Sequence, residues 1–195
     1  MKNIVILISG RGSNMQAIVN ANIPNVHIAA VLSNRTDAAG LAWAAERGIA
    51  TDSLDHKSFD SREAFDRAMM EKIDAYTPDL VVLAGFMRIL TPAFCARYEG
   101  RLINIHPSLL PHHGGPGMYG HHVHEEVIAD GDAESGISIH LVNEKVDGGT
   151  ILAQFTCPVL PDDTPDTLAA RIHPLEYAHF PQVIEQYLMS IPYSE

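Results

Sequence analysis

The sequence predicts a single doubly wound α/β domain whose sheet is mostly parallel, with an antiparallel addition at the C-terminal end. Two observations predict it. In the first hundred residues, short apolar runs alternate with helix-like runs, which is the pattern of βα units around a parallel sheet. In the last third, two strand-like runs flank Asp147-Gly148-Gly149, a turn-forming group that favours a hairpin. The length of 195 residues suits one domain.

The N-terminal half is expected to alternate strands and helices up to residue 105. Gly48 and Gly100 mark helix ends, and Asp60 with Glu63 has the spacing of a capping box. Thr91, followed by a proline, is typical of an N-cap with Pro at the first helical position. The predicted strands are 3–8, 26–32, 49–53, 80–84 and 102–105, and the predicted helices are 15–22, 38–47, one after residue 60 and one from 91 to 100.

The C-terminal half begins with a long loop, because residues 107–120 are rich in Pro, Gly and His. We expect residues 112–124 to form a mobile flap, since long loops inside compact domains are usually functional. Strands are predicted at 137–142 and 150–159. Thr164 then begins a helical stretch to about Met189, which Pro174 and Pro181 interrupt.

Charge and hydropathy exclude several classes of protein. The net charge of −11 repels polyphosphate, which argues against a nucleic-acid partner held by a basic surface. The apolar run at 4–8 is far shorter than a membrane span of about 20 residues. Cys95 and Cys157 lack CxxC spacing and lie in apolar stretches, so we expect buried thiols in a reducing cytoplasm. These features predict a cytoplasmic protein that binds small molecules.

The segment from Gly10 to Asn14 joins the first strand to the first helix through two glycines. Free amides at a helix N-terminus bind phosphate without a cationic side chain. A tight βα turn capped by Ser13 or Asn14 explains the same spacing equally well. The segment lacks the Gly-Lys-Ser/Thr ending of a P-loop, and Met15 stands where a dinucleotide fingerprint has its third glycine. A phosphomonoester therefore suits this loop better than a pyrophosphate.

Asn104 and His106 lie at the carboxyl end of a predicted buried strand, where open α/β sheets place their ligands. They are two residues apart, so both side chains leave one face of the strand. An amide and an imidazole side by side can stabilise an oxyanion and supply a proton. A turn cap and a hydrogen-bonded strand-end histidine are the plainer interpretation of an arbitrary Asn-x-His.

Several further histidines follow in the same loop and raise a metal hypothesis. No metal-binding helix arrangement with a third ligand is evident, and an exposed loop explains the cluster more simply. Asp147 in a turn and Glu176 in a helix are uninformative when each is considered alone. The loop histidines are His112, His113, His121, His122 and His124.

Considered together, six segments resemble the folate-dependent formyltransferases, in that family's order and over nearly the whole chain. NIHPSLLP with a later DGG is specific to the family, and GRGSN is typical of its members that act on glycinamide ribonucleotide. The segments are ISGRGSN (8–14), FDSREAFD (59–66), PDLVVLAGFMRIL (78–90), RLINIHPSLLP (101–111), GISIHLVNEKVDGGTILAQ (136–154) and ARIHPLEYAHFP (170–181).

The resemblance implies transfer of a formyl group from 10-formyltetrahydrofolate to the amino group of glycinamide ribonucleotide, in de novo purine (IMP) biosynthesis and without a metal. It implies a Rossmann-like domain over 1–195, with a phosphate-binding half (1–100) and a catalytic and folate-binding half (101–195). The catalytic residues would be Asn104, His106 and Asp147. The residues of the glycinamide ribonucleotide site would be Gly12, Ser13, Asn14 and Glu176. The folate site would consist of Arg62, Met87, Arg88, Ile89, Leu90, Asn104, Asn143, Glu144, Val146 and Asp147.

The resemblance also implies a cis peptide bond at Leu110-Pro111, and an Asp147 that folds back to His106 and favours its imidazolium form. Three other functions remain open. A formyltetrahydrofolate hydrolase shares this chemistry but usually carries an added regulatory domain. A tRNA formyltransferase would need an RNA-binding domain, which the net charge of −11 disfavours. A non-enzymatic module would use the histidines as phosphometabolite or metal ligands.

Overall fold

One seven-stranded sheet runs through the computed structural model, which describes residues 1–192; the last three residues of the predicted domain lie outside the described part. The strand order is β3-β2-β1-β4-β5-β6-β7. Strands β1 to β5 pair in parallel, while β5 with β6 and β6 with β7 pair antiparallel. The strands are β1 (Lys2–Ile8), β2 (Val26–Ser33), β3 (Ala50–Ser53), β4 (Leu80–Leu83), β5 (Leu102–His106), β6 (Glu134–Leu141) and β7 (Ile151–Pro158). The predicted fold class is confirmed.

The helices cover both faces of this sheet. They are α1 (Ser13–Asn20), α2 (Ala39–Glu46), α3 (Arg62–Asp74), α4 (Pro92–Arg97), α5 (His121–Ala129) and α6 (Pro165–Ser190). Successive residues of β1 point to opposite faces: Ile4 and Ile6 pack in one apolar cluster, and Val5 and Leu7 pack in the other. Burial on both faces explains why the parallel strands are apolar throughout.

Three features differ from the sequence-based expectations. Helix α3 is capped by Ser61, whose hydroxyl accepts from the Ala64 N–H at 3.0 Å, so the predicted capping box at Asp60 is wrong by one position. Residues 121–124 of the predicted flap belong to α5, which buries Val123 and Val127, one helical turn apart. The prolines of α6 do not interrupt it, because fully buried residues of the same helix hold it on the sheet.

The chain turns sharply after β5, where Leu110-Pro111 is a cis peptide bond, as predicted. Ser138 on β6 fixes this turn: its hydroxyl accepts from the Leu110 N–H at 2.9 Å and donates to the Ser108 carbonyl at 2.6 Å. Gln154 on β7 donates to the Leu110 carbonyl at 2.9 Å. The antiparallel strands therefore hold the segment that leaves the end of β5.

The remaining expectations concern the thiols and the hairpin. Cys95 and Cys157 are free and buried, as predicted. Strands β6 and β7 form the predicted hairpin around Asp147. Among residues 1–192, none of the helices has the length and apolar character that crossing a bilayer requires.

Candidate active site

The carboxyl end of β5 brings an amide, an imidazole and a carboxylate together. Asn104 and His106 leave the same face of the strand, and the His106 residue is only 4% exposed. Its Nδ1 lies 3.5 Å from Oδ2 of Asp147, and its Nε2 lies 2.8 Å from the main-chain oxygen of His113. A carbonyl oxygen only accepts hydrogen bonds, so Nε2 of His106 carries a hydrogen. Nδ1 is the nitrogen that faces the carboxylate.

His140 on β6 orients Asn104, and sequence reasoning missed it. The two residues are paired across the antiparallel β5–β6 ladder, and Nδ2 of Asn104 lies 3.3 Å from Nε2 of His140. Burial lowers the pKa of His140 from its ordinary value. A neutral His140 donates from Nδ1 to the Leu141 carbonyl at 2.9 Å and accepts from Asn104 at Nε2. The signal that could have found it is the alternation of apolar and polar residues along β6.

The turn between β6 and β7 carries Asp147 over the end of β5. Asp147 has a left-handed backbone with φ of 55°, and the Gly115 N–H donates to its Oδ2 at 2.9 Å. A Cβ atom at Gly149 would lie 1.8 Å from the Leu141 carbonyl oxygen, so only glycine fits there. The Gly-Gly sequence thus permits the tight chain reversal that places the carboxylate.

Helix α1 begins without a side-chain cap, beside an open cavity. Gly12 adopts a left-handed conformation with φ of 71° immediately before the helix. The first amides of a helix have no partners within it, and they carry the positive end of the helix dipole. Oδ1 of Asn14 is buried without a hydrogen-bond partner. The free main-chain amides at this end of α1 suit an anion, whereas the Asn14 oxygen, which only accepts hydrogen bonds, suits a donor.

Glu176 on α6 faces the start of α1 and is 7% exposed. One carboxylate oxygen accepts from Nδ2 of Asn14 at 2.7 Å, and the other lies 2.9 Å from Nδ1 of His173. The hydrogen bond to Glu176 raises the pKa of His173 above its ordinary value. Gly12, Asn14, His173 and Glu176 all line one cavity of about 680 Å³. The structure thus brings the predicted phosphate loop and the predicted acid to one site.

His124 was expected in an exposed loop, and this is wrong, because α5 carries it into the interior at 3% exposure. Its Nδ1 is buried and has no hydrogen-bond partner. Burial, followed by the charge of His173, lowers the pKa of His124. Glu176, His121 and His106 also act on His124 electrostatically.

Comparison with known proteins is consistent with these residues and this fold. A model of the family described as formyl transferase matches residues 2–184. The chain belongs to the formyl transferase family. It is an enzyme, and the resemblance to this family that the sequence motifs indicated is confirmed.

Three similar proteins carry names that describe the same formyl-transfer activity. This chain is 50% identical to phosphoribosylglycinamide formyltransferase of Escherichia coli (strain K12) over 185 residues, which are 93% of this chain and 85% of that protein. The phosphoribosylglycinamide formyltransferase of Coxiella burnetii in complex with CHES has a TM-score of 0.89 and 42% identity, covering 100% of this chain and 90% of that one. Glycinamide ribonucleotide transformylase 1 from Symbiobacterium toebii has a TM-score of 0.91 and 36% identity, covering 100% and 91%.

Apart from Asn104 on β5, the folate residues expected in this formyltransferase lie on three segments. Arg62 begins α3, residues 87–90 follow β4, and residues 143–147 form the turn after β6. Met87 and Ile89 are large apolar residues that are 52% and 47% exposed. The thiol of Cys95 on α4 donates to the main-chain oxygen of Asn143 at 3.3 Å. Leu90 and Val142 both pack against the same apolar cluster, so the second and third segments border one part of the core.

Arg88 adds positive charge to this surface of the formyltransferase. Its guanidinium lies over the ring of Phe65, 4.1 Å from the centroid, and its buried Nε has no hydrogen-bond partner. Burial lowers the pKa of Arg88; Asp66 opposes this shift and the positive charge of Arg62 adds to it. The two arginines therefore interact electrostatically and give this surface positive charge.

A cluster around His113, whose main-chain oxygen contacts His106, contains groups of the kind that bind metals. Within residues 1–192, His113, Asp130 and Asp132 present ligand atoms within 4.8 Å of one another. Nε2 of His113 lies 2.6 Å from Asp132, and its Nδ1 lies 2.9 Å from Glu126. Because a carboxylate lies within hydrogen-bonding distance of each ring nitrogen of His113, we infer a doubly protonated ring, and such a ring has no free lone pair for a metal. We therefore assign these contacts as ion pairs rather than as a metal site.

Proposed function

We propose that this protein transfers the formyl group of 10-formyltetrahydrofolate to the amino group of glycinamide ribonucleotide, in the de novo purine (IMP) pathway. One observation carries the proposal: the Asn104, His106 and Asp147 side chains meet at the end of β5, in the same molecule as an uncapped helix N-terminus that faces a buried carboxylate. The first group suits acyl transfer, and the second suits a substrate with a phosphate at one end and an amine at the other.

The substrate phosphate binds at the main-chain amides of Gly12, Ser13 and Asn14. An uncapped helix start supports this, because it supplies hydrogen bonds and a positive dipole without a basic side chain. Glu176 holds the substrate ammonium, since its buried carboxylate lines the same cavity and gains from a positive partner. The bond from Asn14 to Glu176 links the two subsites.

The donor binds on the opposite side of the catalytic residues. Exposed Met87 and Ile89 offer an apolar surface for its ring system, and Arg62 with Arg88 offers positive charge for its carboxylates. The turn around Asp147 closes this surface at the reacting end. The proposed donor residues are those at 62, 87–90, 104, 143, 144, 146 and 147.

The chemistry requires a nucleophilic amine, an oxyanion site and a proton path. The bound substrate ammonium first loses one proton to solvent; the neutral amine then attacks the formyl carbon, and the carbonyl electron pair moves to oxygen. The Asn104 amide and the protonated His106 stabilise that oxyanion, and Asp147 stabilises the imidazolium. The proton lost by the amine reaches the folate nitrogen through His106, the bond from carbon to that nitrogen breaks, and tetrahydrofolate leaves. No covalent intermediate with the enzyme and no metal is part of this scheme.

The expected division into a phosphate-binding half (1–100) and a catalytic and folate-binding half (101–195) is only partly kept in this scheme: Arg62 and residues 87–90 of the first half also contact the donor, and Glu176 of the second half also binds the ribonucleotide. Both substrates are small molecules found in the cytoplasm, where we place the enzyme. A net charge of −11 agrees with a phosphate site built from main-chain amides rather than from a basic surface that would attract nucleic acid. A hydrolase would use water as the nucleophile, and it would have no need for the Glu176 cavity.

The test is a formyl-transfer assay with purified enzyme and 10-formyltetrahydrofolate, with and without glycinamide ribonucleotide and in the presence of a chelator. We expect tetrahydrofolate to appear only with the acceptor, together with an equal amount of formylated ribonucleotide. Formate release without the acceptor would identify a hydrolase. Loss of activity in the chelator would identify a metal-dependent reaction.

A further inference from the structure

The loop after β5 holds both members of the proposed catalytic pair through its main chain. The His113 carbonyl accepts from Nε2 of His106 at 2.8 Å, and the Gly115 N–H donates to Oδ2 of Asp147 at 2.9 Å. Gly114 lies between them, where a Cβ atom would be 2.4 Å from Cδ2 of Leu110 and 3.4 Å from Cβ of Asp147. Residues 113–115 therefore determine how the imidazole and the carboxylate face each other.

The side chain of His113 anchors this segment on the side away from the active site. It is 7% exposed, with Nε2 at 2.6 Å from Asp132 and Nδ1 at 2.9 Å from Glu126. Asp130 adds a third carboxylate at 3.8 Å from Nδ1. Charged hydrogen bonds of this kind are roughly twice as strong as neutral ones. They hold the ring between α5 and the turn that precedes β6.

The backbone of His113 needs such an anchor. Its φ of 56° lies in the left-handed region, which is uncommon for residues other than glycine. The side-chain ion pairs stabilise this conformation, and the same conformation directs the carbonyl of His113 towards His106. Side chain and carbonyl are thus coupled through one residue.

We propose that His113 is a positioning residue: its doubly paired ring fixes the carbonyl that holds the Nε2 hydrogen of His106, which leaves Nδ1 of His106 as the nitrogen that exchanges a proton with the reactants. This inference rests on the role of His106 in the proposed function. His113 itself touches neither the reactants nor the reacting atoms in this scheme.

The charges around His113 determine how its ion pairs respond to pH. Burial lowers the pKa of His113, but the hydrogen bonds that its ring donates to Asp132 and Glu126, with the charges of these two carboxylates, outweigh burial and raise the pKa above its ordinary value. The anchor is therefore complete below that raised pKa and is lost as the pH rises through it. The other titratable groups on the neighbouring segments are Asp130, Glu134 and the exposed His112.

The first measurement is ¹⁵N NMR of the ligand-free enzyme with labelled histidine, in which the His106 signals are assigned by their loss in His106→Asn. We expect neutral His106 to carry its hydrogen on Nε2 in the wild type and to populate both tautomers in His113→Asn. Asparagine suits the test because it tolerates positive φ and carries no charge. An Nδ1–H tautomer in the wild type, or an unchanged tautomer in the variant, would overturn the proposal.

The second measurement is steady-state kinetics of formyl transfer. We expect His113→Asn to lower kcat by about 10- to 100-fold, as displaced catalytic groups do, with KM for both substrates little changed. The variant should also lose the alkaline decline in kcat that follows deprotonation of His113. The matched control is His112→Asn, an exposed neighbour in the same loop, which should match the wild type. A variant with wild-type kcat would contradict the inference.

Two further variants test the proposal if His113→Asn does not fold. Asp132→Asn and Glu126→Gln each remove one charged partner of the ring, so each should shift the His106 tautomers in the same direction by a smaller amount. Tautomers that stay as in the wild type in both variants would overturn the proposal. The NMR result requires no substrate, so it stands even if the wild type fails to transfer formyl to glycinamide ribonucleotide, an outcome that would refute the proposed function alone.

Discussion

The carboxylate of Asp147 lies 3.5 Å from Nδ1 of His106, and the two side chains are 10% and 5% exposed. Nδ1 can donate to this carboxylate while Nε2 stays bonded to the loop after β5 only when both ring nitrogens carry a hydrogen. This pair is the centre of the proposed mechanism.

Asp147→Asn should lower kcat by about 100-fold or more, because the amide no longer stabilises the imidazolium that serves the oxyanion and moves the proton. KM for both substrates should change little, and the thermal melt should stay close to that of the wild type. Asp162→Asn, an exposed carboxylate in the segment before α6, is the control. Wild-type turnover in Asp147→Asn would remove Asp147 from the mechanism.

Glu176→Gln should raise KM for glycinamide ribonucleotide by about tenfold, which corresponds to the loss of one charged hydrogen bond worth about 1.4 kcal/mol. KM for the folate donor should be unaffected, since the donor binds elsewhere. Glu185 lies on the same helix, so Glu185→Gln is the matched control. If the change appears in the KM for the donor instead, the assignment of the two subsites is reversed.

The affinity for glycinamide ribonucleotide should fall as the solution becomes acidic. Because the pKa of His173 is raised by its bond to Glu176, His173 is charged and paired below that pKa, and this pairing is lost as the pH rises through it. Charged His173 competes with the substrate ammonium for the carboxylate. His173→Gln should therefore show a weaker dependence of KM on pH, measured between about pH 5.5 and 8 around the usual histidine pKa. Identical pH profiles for the two proteins would exclude this competition.

Asp66→Ala should destabilise the fold by about 2 to 3 kcal/mol in a urea titration, because two donors lose a buried acceptor. The Asp66 carboxylate accepts from the Thr91 N–H at 2.9 Å and from its hydroxyl at 2.8 Å, and Thr91 caps α4. Asp60→Ala removes an exposed carboxylate six residues earlier and should cost far less. Equal losses in the two variants would show that the contact to Thr91 contributes nothing.

Local patterns predicted the parts of the site that depend on neighbouring residues. The alternation of a strand places Asn104 and His106 on one face. Two glycines before a helix were equally compatible with free amides and with a turn capped by Ser13 or Asn14, and the structure shows an uncapped start of α1. Ser61 shows where such patterns are limited. It directly follows Asp60, both residue types cap helices, and only the backbone decides between them.

Long-range contacts explain what sequence reasoning missed. His140 reaches Asn104 only because β6 pairs antiparallel with β5 in one register, and His113 reaches His106 only because the chain turns back after Pro111. Asp147 and Glu176 were predicted from family resemblance, since neither an Asp-Gly turn nor a helical glutamate indicates catalysis on its own. Helix α5 was missed because its histidines and preceding glycines are typical of a loop.

The most direct test is a crystal structure of the enzyme with glycinamide ribonucleotide and a folate analogue that cannot transfer its formyl group. We expect the phosphate on the main-chain amides of Gly12 to Asn14, with the Arg11 side chain contributing less than the loop backbone. We expect the substrate amine at Glu176, and the formyl oxygen between the Asn104 amide and His106. A phosphate bound elsewhere, or a formyl carbon remote from His106, would contradict the proposed function.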